Sequence, residues 1–286
     1  MKKIFFLLFI TLAKISFSQL PNTDIWVFKF IVTQDSVFLA DPENITNRTG
    51  YDNQPTFSPD ARSILYTSIR DEKQSDIYKY DLNSKQTTQF TNTSTTSEYS
   101  PTFMPDGKNI SVVMVEPDST QRVWKFPIKG GKPSIVLEKV DSVGYHIWYN
   151  KGTMGVFILT EPATLQIVQT WNQVPHIVAD SIGRCFRMMG DEILFYTEKT
   201  KDGKDQLCQF ILPGMATKKL DVIMESEDYA FFNHDNIVYG KNSELYFIPS
   251  FDTSKKKTID LSKYGIKKIT RLAVSPDGKK IAIVAE

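Results

Sequence analysis

The chain is 286 residues long, carries 34 basic against 33 acidic side chains, and is 41% hydrophobic with two cysteines and three histidines. Balanced charge excludes a dedicated nucleic-acid surface, which needs a basic excess. The cysteines and histidines, in neither C-x-x-C nor H-x-x-x-H spacing, exclude the usual structural zinc patterns.

The first element is MKKIFFLLFITLAKISFSQ, with Lys2 and Lys3 ahead of an apolar stretch and the small residues Ser16 and Ser18 at its end. This is the layout of a secretory signal peptide over residues 1–18, cut between Ser18 and Gln19. Lys14 interrupts the apolar run, and no later stretch approaches the ~20 apolar residues of a membrane-crossing helix. No Cys follows the run, so nothing points to lipid modification. The expectation is an exported monomer, periplasmic or secreted, with residues 19–286 as a single domain.

After the leader, aromatic and β-branched residues alternate and turn clusters recur every ~8–12 residues, the pattern of an all-β chain. DIWVFKF at 24–30 reads as one strand and PENIT at 42–46 as the next. The clearest unit follows: PTFS, a Pro-Asp turn, SILYTS, a polar loop, DIYKYDL, a tight turn, and QTTQFT. A second unit begins PTFMPDGKNISVVM at 101–114 and continues through RVWKFPI and SIVL. Three weaker units continue the order, and RLAVSPDGKKIAIV at 271–284 supplies only a first and a second strand. The anchors Phe57, Phe103, Trp148, Phe186, Phe231 and Val274 lie 38 to 46 residues apart, a propeller-blade period. The two strands missing from the last unit are those at 24–30 and 42–46, so the ends of the chain are expected to share one sheet and close a six-bladed β-propeller. The aromatic anchors are read as packing between blades. The aspartates of the Pro-Asp turns are read as turn formers that bond backbone amides, with Ala61 standing where the other strong copies have Gly107 and Gly278.

Cys185 and Cys208 fall on the first and third strands of one blade, about 9–10 Å apart. A disulfide needs Cα atoms within ~7 Å, so free buried thiols are expected. The lysines at 255–257 read as a solvated hairpin.

The F-S-P-D-G-K-K-I repeat followed by a D-I-Y strand resembles the WD40-like Pro-Asp repeat of the TolB-like six-bladed β-propellers. The resemblance runs over essentially the whole mature chain, without the G-H…W-D signature of true WD40 repeats and without the α/β domain that precedes the TolB propeller. It implies an exported propeller that binds or scaffolds, and it carries over no catalytic motif.

Loops before first strands and after second strands meet at one face of such a ring. They supply Asp52, Glu98, Tyr99, Tyr145, His146, Arg184, Asp228, Tyr229 and Arg271, with Arg70, Glu116, Glu161 and Glu198 from the second set. This mouth reads as mixed in sign and leaning acidic, suited to a polar ligand or a charged segment of an envelope or secreted protein; as ordinary loop residues, the same side chains would simply hydrate a surface. His146 with Glu98, Glu116 and Glu161 is the one constellation that would serve a metal-assisted lyase or hydrolase on carbohydrate or peptide; a plain hydrogen-bonded histidine is the favoured reading. His176 on an outer strand and His234 in a hairpin turn stand too far off to assist it. No nucleophile elbow, zinc-protease helix or phosphate loop is present, so no cofactor, metal or catalytic residue is assigned.

Overall fold

The computed structural model describes residues 21–33, 37–70, 74–232 and 235–286. The signal peptide read at 1–18 and the turn histidine His234 lie outside them. Among the described residues the strands form six four-stranded antiparallel sheets in a ring. Blade 1 contains β3 (Tyr51–Phe57), β4 (Ser63–Ile69), β5 (Ser75–Asp81) and β6 (Gln86–Gln89). Blade 2 contains β7 (Ser97–Phe103), β8 (Asn109–Val115), β9 (Gln121–Pro127) and β10 (Ser134–Ile135). Blade 3 runs from β11 (Val143–Asn150) to β14 (Pro175–Asp180), blade 4 from β15 (Arg187–Met189) to β18 (Ala216–Met224), and blade 5 from β19 (Tyr229–Phe232) to β22 (Lys257–Asp260).

Burial follows radius and accounts for the composition of each strand. Every residue of β4, SILYTSI, is buried, because a second strand is covered on both faces by neighbouring blades. Every residue of the outermost β6, QTTQ, is exposed. Short polar outer strands leave little edge for another chain to pair with.

Blade 6 is the composite one. Its order is β2 (Val37–Asn44), β1 (Asp24–Val32), β24 (Lys280–Ala285), β23 (Ile269–Val274). The register of β1 on β24 runs from Asp24 opposite Ala285 to Lys29 opposite Lys280, so Trp26 and Ile281 share one sheet as expected. The outer strand differs from the PENIT reading: it starts at Val37, and Ile45 and Thr46 fall beyond it. Those two residues tie down the start of β1 instead, through Ile45 N donating to Ile25 O (2.9 Å) and Ile25 N donating to Thr46 Oγ1 (3.0 Å). Thr23 then bridges to Tyr51 of blade 1, fastening blade 6 to its neighbour.

The Pro-Asp turns are structural. Asp60 Oδ1 accepts from Ser58 Oγ (2.6 Å) and Arg62 N (3.1 Å), and Asp277 repeats the pattern with Ser275 and Lys279. Ala61 holds φ 55°, matching Gly107 and Gly278 at φ 67°. A side chain in that left-handed region costs about 1 kcal/mol. Ala61→Gly is therefore expected to change stability by no more than about 0.5 kcal/mol, because relief of the strain is offset by the loss of one methyl and the added freedom of the unfolded chain. Urea titration checks this; a loss above about 1 kcal/mol would show that the methyl contact and chain freedom outweigh the strain.

The anchor residues divide. Phe57, Trp148 and Phe186 are buried, whereas Phe103, Phe231 and Val274 are half-buried. Phe57, Phe186, Phe231 and Val274 line a chamber of about 320 Å³ on the ring axis, so they pack around the channel as well as between blades. The first strand of a blade is the innermost, and one of its faces has only the axis to meet. Both cysteines are free and buried.

Candidate functional site at the channel neck

All six blades contribute to a chamber of about 100 Å³ on the axis, lined among others by Gln54, Ser100, Tyr145, His146, Arg184, Arg187, Asp228 and Arg271. Above it a wider mouth of about 440 Å³ opens, bordered by Tyr51, Glu227, Lys268 and Thr270. Tyr145, Arg184, Asp228 and Arg271 line both spaces and form the neck between them.

Local geometry puts these side chains there. In blades 1 and 2 the first strand is bulged at equivalent places, between Asn53 and Thr56 and between Tyr99 and Thr102. Gln54 (φ 57°) and Ser100 (φ 53°) occupy the bulges, each followed by a proline. An inserted residue re-aims the strand, and proline is tolerated where the ladder is already interrupted. Gln54 Oε1 accepts from Ser100 N (2.7 Å) and Thr67 Oγ1 (2.8 Å), which couples the two bulges.

Asp228 is the electrostatic centre. Its side chain is 3% exposed, and Oδ1 accepts from Leu272 N at 2.8 Å. Arg187 Nη2 lies 3.7 Å from Oδ1, and Arg271 Nη1 lies 3.8 Å from Oδ2. Arg187 also donates to the carbonyls of Phe186 (2.8 Å) and Leu272 (3.0 Å). Arg271 reaches Tyr145 Oη at 3.4 Å and stands 5.3 Å from its ring centre. Burial opposes the charge of Arg271, but the Asp228 carboxylate more than restores it and holds the guanidinium above its ordinary pKa. Arg184 has weaker ties: Thr270 O at 3.4 Å and, at the rim, Glu227 Oε2 at 3.6 Å from its Nε.

His146 lies on β11, 7% exposed, with Nε2 2.7 Å from Ser111 Oγ, which also accepts from Trp148 Nε1 at 2.8 Å. Burial pushes its pKa down to about 4, so the ring is neutral at pH 7. Its Nδ1, the Ser100 hydroxyl and Arg184 Nε lack hydrogen-bond partners among the described residues.

Of the residues expected at the mouth, the channel collects Tyr145, His146, Arg184, Asp228 and Arg271. The others stand elsewhere. Asp52 is fully buried against Arg48, with Nε to Oδ2 at 2.9 Å, where burial raises its pKa despite Ser68 and Arg48. Glu98, also fully buried, accepts from Thr91, Thr93 and Thr96 (2.7–3.1 Å), and burial raises its pKa too. Glu116 is held by Arg122, which lowers its pKa, and by Trp124. Arg70 stacks 3.9 Å over Tyr78, and Tyr99 packs against the apolar cluster shared by blades 2 and 3. Tyr229 is core, its hydroxyl donating to Cys185 O at 3.4 Å, and Glu161 sits exposed in a loop.

Two expectations are thereby corrected. The neck leans basic, with three arginines set against the buried Asp228 and the rim Glu227, because Asp52 and Glu98 are consumed by interior hydrogen bonds. The constellation of His146 with Glu98, Glu116 and Glu161 does not assemble, since each of the first two carboxylates has its own partners and His146 bonds to Ser111. Among the described residues no group of three His, Cys, Asp or Glu side chains is placed to hold a metal ion. Sequence reasoning passed over Gln54, Ser100 and Arg187. The available signals were the prolines inside otherwise strand-like QPTF and SPTF, and an arginine next to an anchor aromatic.

No protein-family model matches the chain, and no curated protein sequence matches it. Solved structures do. A TolB-like protein from Agrobacterium tumefaciens superposes with a TM-score of 0.67 at 12% identity, over 92% of this chain and 98% of that one. TolB from Acinetobacter baumannii gives 0.60 at 12% identity, over 93% of this chain and 64% of that one. An oligogalacturonate lyase in complex with manganese gives 0.57 at 12% identity, over 85% and 79% of the two chains. At such identities the likeness establishes the fold, that of the TolB-like six-bladed propellers.

Proposed function

We propose that this propeller is an exported, non-enzymatic binding or scaffold protein of the cell envelope, taking a protein segment or polar ligand at the channel mouth. One observation carries the reading: buried polar atoms of Ser100, His146 and Arg184 at the axis are left without protein partners. Unpaired buried polar groups are costly, and a binding site is the ordinary reason to retain them. The leader-like segment at 1–18 supports export, and among the described residues no helix is long and apolar enough to cross a membrane.

The likeness to the lyase brings in a second reading, metal-assisted cleavage of carbohydrate or peptide in the channel. A histidine bonded to a serine, with no carboxylate joining it, does not fit a metal-held or acid–base site of that kind.

Capture from envelope extracts with wild type and Arg184→Glu tests the binding reading. Partners that use the mouth are expected to drop at least about tenfold, as when a charge pair becomes a clash. Identical partner sets from both proteins, with both folded by thermal melt, would sink it. Stoichiometric metal in the purified protein, lost in His146→Ala, would favour the enzyme instead.

A further inference from the structure

The neck carries more positive charge than the protein itself neutralises. Arg187 and Arg271 flank Asp228, whose side chain is 3% exposed, and Arg184 faces Glu227 at 3.6 Å, a rim carboxylate with 52% of its side chain in solvent. Arg271 is 13% exposed, with its nearest carboxylate oxygen at 3.8 Å, beyond hydrogen-bonding distance. Desolvated guanidinium groups are costly unless paired and hydrogen-bonded. Arg187 is satisfied by two carbonyls, but Arg184 Nε makes no hydrogen bond beyond its 3.6 Å contact to Glu227, and Arg271 has one long contact to Tyr145. The Ser100 hydroxyl adds a donor without a protein partner to the lining of the same chamber. His146, neutral at pH 7, adds no repulsion and no charge.

Size narrows the ligand further. The inner chamber, at about 100 Å³, holds a few water volumes and so admits one small group. The mouth, at about 440 Å³, falls in the range that receives a whole ligand body. We propose that the neck is a binding site for a single anionic oxygen group, carboxylate or phosphate, at the tip of a ligand whose bulk stays in the mouth. The anion lies between Arg184 and Arg271, on the side of Ser100, and supplies the hydrogen-bonding acceptor that their contacts to Glu227 and Asp228, at 3.6 and 3.8 Å, do not. Planar guanidinium forks match both oxyanions. This rests on the reading of the mouth as the binding face and adds the chemistry that the face selects.

The test is isothermal titration of the whole folded protein with three probes: an N-acetylated aspartyl tripeptide amide, its asparaginyl counterpart, and inorganic phosphate. The aspartyl peptide is expected to bind about tenfold or more tightly than the asparaginyl one. Stronger binding of phosphate would assign the site to phosphate-tipped ligands, still as an anion site. Arg184→Gln, which loses no short protein contact, is expected to weaken the favoured anion about tenfold, and Ser100→Ala a few-fold. Asp228→Asn, which keeps an acceptor for Leu272 N while removing the internal competitor, is expected to tighten anion binding; a merely structural aspartate would not. Equal binding of the two peptides with no phosphate binding, or weaker anion binding in Asp228→Asn with an unchanged melting temperature, overturns the proposal. If anions fail but Arg184→Glu still loses its captured partners, the anion chemistry falls and the mouth stands as the binding face. If both fail, both readings fall.

Discussion

Phe28→Ala is expected to destabilise the protein by about 3–5 kcal/mol, the usual cost of truncating a fully buried aromatic. Phe28 is 0% exposed on β1, paired in register with Ile281 of β24. Its ring meets Tyr264 edge-on at 5.3 Å and lies 6.2 Å from Trp26. The substitution therefore opens a cavity at the one sheet that holds the two ends of the chain together. That sheet closes the ring, so its loss exposes second-strand surface on both adjacent blades and should lower the cooperativity of unfolding as well as its midpoint. Phe103, half-buried against the apolar cluster shared by blades 1 and 2, is the internal comparison, and Phe103→Ala should cost only about 1–2 kcal/mol. Denaturant titration reads both. A loss below about 1 kcal/mol for Phe28→Ala would mean that the closing sheet contributes little to stability.

Acid should weaken the fold through His146. Burial lowers its pKa from 6.5 to about 4, so the unfolded chain takes up the proton first as pH falls. Stability present above pH 6.5 is then lost progressively toward about pH 4, amounting to about 2–3 kcal/mol near pH 4.5. Glu98 acts with the opposite sign, because burial raises its pKa and the folded state holds that proton more tightly. Glu225, lowered to about 2 by Lys241 and Lys256, acts at lower pH. The informative quantity is thus the difference between wild type and His146→Gln, which keeps a hydrogen-bonding group for Ser111. Unfolding free energies measured at about pH 7 and pH 4.5 should converge between the two proteins as the pH falls, relative to their gap at pH 7. A gap that stays constant would show an imidazole that meets water in the folded state.

The ring could be read from the chain because its cause is repeated. The S-P-D turn supplies the same hydrogen bonds at Ser58–Asp60 and Ser275–Asp277, and an unbroken apolar run such as Ile64–Tyr66 marks a strand covered on both faces. Closure was legible because DIWVFKF matches the third-strand pattern that the last unit lacks. The site was legible only in part, and the reason is that loop position does not report what a carboxylate bonds to. Asp52 and Glu98 stand at the very start of first strands, much as Asp228 stands just before one. Arg48, close in sequence to Asp52, and Thr91, Thr93 and Thr96, just ahead of Glu98, withdraw the first two into the interior, which their position in the loops does not announce. With those charges removed, the sign of the neck reverses. The bulges at Gln54 and Ser100 escaped for a different reason: period-two alternation assumes a regular ladder, and an inserted residue breaks it locally.

The pairing of β1 with β24 also bears on how such a chain is made. Blades 1 to 5 are assembled from consecutive hairpins and can form as each segment emerges. The strand synthesised near the start, however, pairs early with β2 on one edge only, and its other edge stays open until β24 has been added. The lock therefore cannot engage before β24 has been made, and the first hairpin waits with one edge open while the five intervening blades are built.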